Sequence, residues 1–104
     1  MYFDLNFSPQ VSDEEINREK RKARQLRATR WWRNKKGRGV CFYCGSRMSP
    51  AELTMDHVVP LIRGGKSTKS NIVAACKECN NKKKYMLPME WDEYTGNRGG
   101  EEDV

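Results

Sequence analysis

The run Leu53-Thr54-Met55-Asp56-His57-Val58-Val59-Pro60-Leu61 is apolar and β-branched apart from one aspartate and one histidine. It predicts a strand over Leu53–Leu61 that ends at Pro60, because proline cannot donate to a ladder. Asn71-Ile72-Val73-Ala74 predicts a second, shorter strand or extended segment. A different pattern precedes them. Ser12-Asp13-Glu14-Glu15 reads as a capping box, with acidic residues at the positive end of a helix dipole. No glycine or proline follows until Gly37, so one helix is expected over residues 12–37. Its apolar stripe is thin, with Ile16, Ala23 and Leu26 on one face and Trp31 and Trp32 near the end as anchors on a small body. Cys76 to Lys84 predicts a helix, and Pro88 to Tyr94 one more, with Trp91 turned inward. The segment 1–11 has no clear period, and 96–104 reads as a loose acidic tail. Between the basic helix and the tail, residues 38–95 form one domain.

Composition narrows this outline. With 104 residues, 37% of them hydrophobic and 33% charged, the chain can build only a small core, and such domains commonly need a staple. Cys41-x-x-Cys44 and Cys76-x-x-Cys79, with 31 residues between the pairs, supply one. The opening Met1-Tyr2-Phe3-Asp4-Leu5-Asn6 has neither the basic nor the apolar region of a secretory leader. No apolar run reaches membrane-spanning length. A cytoplasmic, intracellular chain is therefore expected, where paired Cys-x-x-Cys favours metal over disulfide. Four thiolates close a tetrahedral sphere and leave no position for water, so the metal is expected to be structural zinc.

Charge adds a partner. The formal net charge is +6, and between Arg18 and Arg38 eleven basic residues face one acidic residue, Glu19. A row of like charges implies a polyanion, so Arg21, Arg24 and Arg27 are candidate phosphate contacts, as are Lys82, Lys83 and Lys84 on the later helix. The loop Gly64-Gly65-Lys66-Ser67 imitates a phosphate-binding P-loop but is not one, because the first glycine of that motif would fall at Pro60.

A closed cysteine site leaves His57, the single histidine, without a metal to serve. Asp56 beside it is unusual in a strand. Adjacent strand residues point to opposite faces, so these two need a strand end or local twist to act together. Asp56-His57, then Asn71, then Asn80 directly after Cys79, framed by the two cysteine pairs, resembles the HNH endonuclease family, over roughly residues 38–88. The resemblance implies a small α+β fold, the ββα-metal nuclease core stapled by a four-cysteine zinc site. It implies a metal-dependent endonuclease that hydrolyses DNA phosphodiesters to 5′-phosphate and 3′-hydroxyl ends, of bacterial or phage kind. His57 would be the general base and Asn71 a structural brace. Asp56 and Asn80 would hold a divalent cation, with Asn81 the competitor for the latter position. Asparagine in the family's third position implies weak metal binding, with Mg2+, Mn2+ or Ni2+ in that role. No base-reading element is evident, so double-stranded DNA with low sequence specificity is the expected partner. A non-catalytic zinc-stapled nucleic-acid-binding module would need the cysteines and the basic helix, but not Asp56, His57, Asn71 and Asn80 together. A protein-interaction zinc domain, using Trp31, Trp32 and the acidic tail, is the third reading.

Overall fold

The computed structural model describes residues 11–96. The segments expected over 1–11 and 96–104 lie outside the described residues, apart from Val11 and Gly96. The first helix, α1 (Asp13–Arg27), opens on the expected capping box: the Glu15 amide donates to Ser12 Oγ, and Glu15 Oε1 accepts from the Ser12 amide, both at 3.1 Å. The single helix expected over 12–37 is, however, two. Helix α2 (Arg30–Gly37) starts afresh after Thr29, whose backbone is extended. Thr29 Oγ1 donates to the Leu26 carbonyl at 2.6 Å and accepts from the Trp32 amide at 3.3 Å. A threonine hydroxyl can close one helix end and open another, so the break needs neither glycine nor proline. The turn carries Trp32 into the core, while Trp31 packs at its edge with the ammonium groups of Lys35 and Lys69 over its ring.

Strands β1 (Leu53–His57) and β2 (Ile72–Cys76) pair antiparallel, from Leu53 opposite Cys76 to His57 opposite Ile72. The expected strand to Leu61 therefore stops four residues early. Beyond His57 the amide of Val58 still reaches the Asn71 carbonyl at 2.9 Å, but the amide of Val59 goes to the Asn71 side chain instead. Pro60 then leads into a short 3-10 turn at Leu61–Arg63. Gly64 turns the chain at φ 93°, and Gly65 lies so close to the departing strand that a Cβ on it would fall 1.8 Å from the Val59 carbonyl oxygen. Helix α3 (Lys77–Lys83) follows β2 directly, and α4 (Pro88–Thr95) closes the described chain, with Trp91 buried as expected.

This is a small α+β fold whose centre is a two-stranded ladder with one helix running straight out of it, the ββα order. All five residues of β2 are buried. Trp32, Leu53, Ile72, Ala74, Ala75 and Trp91 pack with three of the cysteines into one core. Among the described residues no helix is long and apolar enough to cross a membrane.

Candidate active site and metal centre

The four cysteine sulfurs lie within 4.8 Å of one another. An ideal tetrahedral zinc–thiolate site would separate its sulfurs by about 3.8 Å, so a small inward movement onto one ion completes the geometry. Local structure already favours this. Gly45 at φ 73° lets the Cys41–Cys44 turn fold tightly, and Val40 pairs with Arg47 across it. The Tyr43 and Cys44 amides donate to Cys41 Sγ, and the Cys79 amide donates to Cys76 Sγ. The Phe42 amide, donating to the Ala74 carbonyl at 2.9 Å, fastens the turn to β2. Hydrogen bonding with Ser46 brings the Cys44 thiol down to about 7, whereas burial pushes Cys76 and Cys79 up. Two buried thiols that resist ionisation are what a bound divalent cation would reverse. The cluster is thus compatible with structural zinc.

At the other end of the ladder lies a cleft of about 890 Å³ whose walls include Asp56, His57, Asn80, Lys84 and, from α1, Asn17 and Lys20. Asp56 and His57 share it because His57 is the last residue of β1, where the strict alternation of the strand ends. Asp56 is buried and uses one oxygen twice: Tyr43 Oη donates to Oδ2 at 2.5 Å, and Lys83 Nζ lies 3.5 Å from the same atom. Burial and the neighbouring carboxylate raise the Tyr43 phenol far above its ordinary value, so it remains a donor. Asp56 Oδ1 has no hydrogen-bond partner among the described residues. Asn80 has a matching arrangement. Thr54 Oγ1 spends its hydrogen on the Ala75 carbonyl at 3.0 Å, so it accepts from Asn80 Nδ2 at 2.9 Å. That fixes the amide orientation, and Asn80 Oδ1 is left without a partner among the described residues. Asp56 and Asn80 both line the cleft, and each keeps a hard oxygen unpartnered among the described residues, the donor type that divalent cations take. Asn81 is exposed and does not line the cleft.

His57 is half buried, and its Nε2 lies 2.9 Å from Ser67 Oγ. Burial lowers its pKa below the usual imidazole value. The charges of Asp56 and Glu19 oppose that shift, and those of Lys83 and Arg27 add to it. The imidazole is therefore neutral at neutral pH and has a lone pair to offer. Asn71 ties the loop together from both ends of its amide. Its Oδ1 accepts from the Val59 amide at 2.9 Å, and its Nδ2 donates to the carbonyls of Val59 at 3.1 Å and Lys66 at 2.9 Å.

The basic candidates divide. Arg21, Arg24 and Arg27 are exposed on α1, and Lys82 and Lys84 are exposed on and just after α3, Lys82 paired with Glu78 at 3.1 Å. Lys83 is a correction. It was expected on the DNA-facing surface, but it is fully buried, with Nζ 3.2 Å from the His57 carbonyl and beside Asp56. On α3 it is rotated about 100° around the helix from Lys82, which turns it into the core. Sequence reasoning also missed Tyr43, Thr54, Ser67 and Glu19. Glu19 did carry a signal: it is the lone acid in the basic stretch and falls on the stripe with Ile16, Ala23 and Leu26.

A family model described as HNH endonuclease (HNH_5) matches residues 41–93. Over 44 residues the chain is 43% identical to a CRISPR-associated endonuclease Cas9 of Corynebacterium diphtheriae, a stretch that is 41% of this chain and 4% of that protein. The chain therefore corresponds to a small part of that relative's length.

Proposed function

We propose, from the premise that this chain belongs to the HNH endonuclease family, that it hydrolyses DNA phosphodiester bonds in the cleft beside β1. The observation that carries the reading is the meeting of Asp56, His57 and Asn80 on one cleft, with Asn71 bracing the loop behind them. His57, neutral and half buried, takes the proton from the attacking water as general base. The water oxygen bonds to phosphorus as the bond to the 3′ oxygen breaks, and the departing 3′ oxygen takes a proton from solvent water, giving 5′-phosphate and 3′-hydroxyl ends. Asp56 Oδ1 and Asn80 Oδ1 would hold a divalent cation, magnesium or a similar hard ion, which when bound neutralises charge building on the phosphoryl and leaving oxygens. Lys83 and Tyr43 hold the Asp56 carboxylate so that its second oxygen faces the cleft.

Lys20 and Lys84 on the cleft walls, with Arg24 and Arg27 continuing the Lys20 row at three- and four-residue spacing and Arg21 beside it, would neutralise backbone phosphates. Lys82 extends this surface from α3. Such contacts position a duplex without reading its sequence, so double-stranded DNA with low specificity is the proposed substrate. A cytoplasmic setting suits the reduced cysteines.

The test is cleavage of supercoiled plasmid by zinc-loaded protein with magnesium, manganese or nickel. Wild type is expected to nick the plasmid, and His57→Ala to lose activity by about a hundredfold or more while still binding DNA. Binding without cleavage by wild type under every metal would sink the nuclease reading in favour of a non-catalytic DNA-binding zinc module. Equal cleavage by His57→Ala would remove His57 from the base role.

A further inference from the structure

The Ser67 hydroxyl has one hydrogen and two close partners, the Glu19 carbonyl oxygen at 2.6 Å and His57 Nε2 at 2.9 Å. A carbonyl can only accept, so the hydrogen goes to Glu19. Ser67 Oγ can then only accept from the imidazole, which puts a proton on Nε2. In the neutral ring the lone pair is left on Nδ1. The backbone of Ser67 is held by the same residue, since its amide donates to Glu19 Oε1 at 2.6 Å. Glu19 therefore grips Ser67 twice, through its backbone oxygen and through its carboxylate. It is itself only 4% exposed, and its other carboxylate oxygen lies 3.3 Å from Lys22 Nζ.

We propose that Glu19 is a positioning residue for His57: acting through Ser67, it fixes the imidazole as the Nε2–H tautomer and presents Nδ1 to the cleft. Glu19 stands on α1, outside the matched segment 41–93 and 48 residues from Ser67. The N-terminal helix thereby becomes part of the reaction centre, beyond any role in binding phosphates. The catalytic half of this inference rests on His57 being the base; the tautomer half does not. A merely structural Glu19 would dock α1 on the loop and leave the tautomer to the intrinsic preference of the ring.

His57 is the single histidine of the chain, so its two ring nitrogens give an unambiguous spectrum. The experiment is a long-range proton–nitrogen correlation on 15N-labelled, zinc-loaded full chain above neutral pH, without DNA. Cleavage kinetics are measured beside it. Wild type is expected to show one tautomer, protonated on Nε2. Glu19→Met, which keeps volume, helix propensity and the backbone carbonyl but loses the carboxylate that anchors the Ser67 amide, and Ser67→Ala are expected to show mixed tautomers. Both are expected to lose on the order of tenfold in kcat, with KM for DNA little changed. Glu19→Gln keeps an acceptor oxygen and is expected to restore both readouts. Zinc content and circular dichroism confirm folding, and Glu19→Asp, one methylene shorter, replaces Glu19→Met if that variant does not fold. An Nδ1–H tautomer in wild type, or an unchanged tautomer in the disrupting Glu19 variant, overturns the proposal. A Glu19-dependent tautomer in a protein that never cleaves DNA leaves the positioning role standing and rejects the nuclease reading instead.

Discussion

At Lys83 a charged residue leaves water completely: its side chain is fully buried, and its ammonium lies 3.2 Å from the His57 carbonyl, 3.5 Å from Asp56 Oδ2 and 5.6 Å from the centre of the Tyr43 ring. Removing one partner of a buried pair strands the other, which is more costly than the pair itself is worth. Lys83→Met, close in volume, is therefore expected to destabilise the protein by about 3 kcal/mol, the lower end of that effect, because Asp56 borders the cleft and keeps its bond from Tyr43. Lys82→Met, at an exposed pair with Glu78, is expected to leave stability nearly unchanged. Urea unfolding of the two zinc-loaded variants measures the contrast, and similar losses in both would contradict the burial argument. That Asp56, His57 and Asn80 meet on one cleft with Asn71 tying the loop beside them was foreshadowed by their residue types and their spacing around the cysteines. Lys83, Glu19 and Ser67 were not. Their roles depend on which way one helix face turns and on a contact across 48 residues; Glu19 stands out as the lone acid of the basic stretch, but nothing local points to Ser67 as its partner.

At the scale of elements, the start of α1 was legible and the start of α2 was hidden. Ser12 and Glu15 announce a capping box, and the structure forms it. Thr29 lies inside an otherwise uninterrupted helical stretch, and nothing nearby marks it as a cap except its hydroxyl. That hydroxyl serves two helices at once, through Leu26 and Trp32. Thr29→Ala is expected to cost about 1 kcal/mol, and Thr29→Ser to recover most of it. Thermal melts would decide between them, and an unchanged melt in Thr29→Ala would mean that the burial of Trp32 alone sets the break. The strand was overextended for a comparable reason. Val58 and Val59 have strong strand propensity, but a side chain from Asn71 takes the Val59 amide where a third strand would otherwise have to.

Across the whole molecule, the cysteine cluster and the cleft sit at opposite ends of one five-residue ladder, Leu53 opposite Cys76 and His57 opposite Ile72. Three of the cysteines are also buried core residues. A domain this small gains little from burial alone, and a four-thiolate zinc site contributes on the order of 10 kcal/mol to folding. Chelating the zinc is expected to unfold the chain, with the cleft lost together with the metal turn. Far-UV circular dichroism should collapse on chelation and recover when zinc is returned, while Cys76→Ser should stay unfolded with or without added zinc. Native dichroism after complete zinc removal would show that the apolar core stands unaided.

The loop between the strands has the look of a permissive surface turn, polar and glycine-rich, the sort of place where sequences usually drift without consequence. Gly65 denies it that freedom. Any side chain there would begin 1.8 Å from the Val59 carbonyl oxygen and 3.0 Å from Asn71 Nδ2, so even a single methyl group would push apart the two residues that bracket the turn after His57. In terms of inheritance, the codon for residue 65 has no neighbouring missense change that the present backbone can accept.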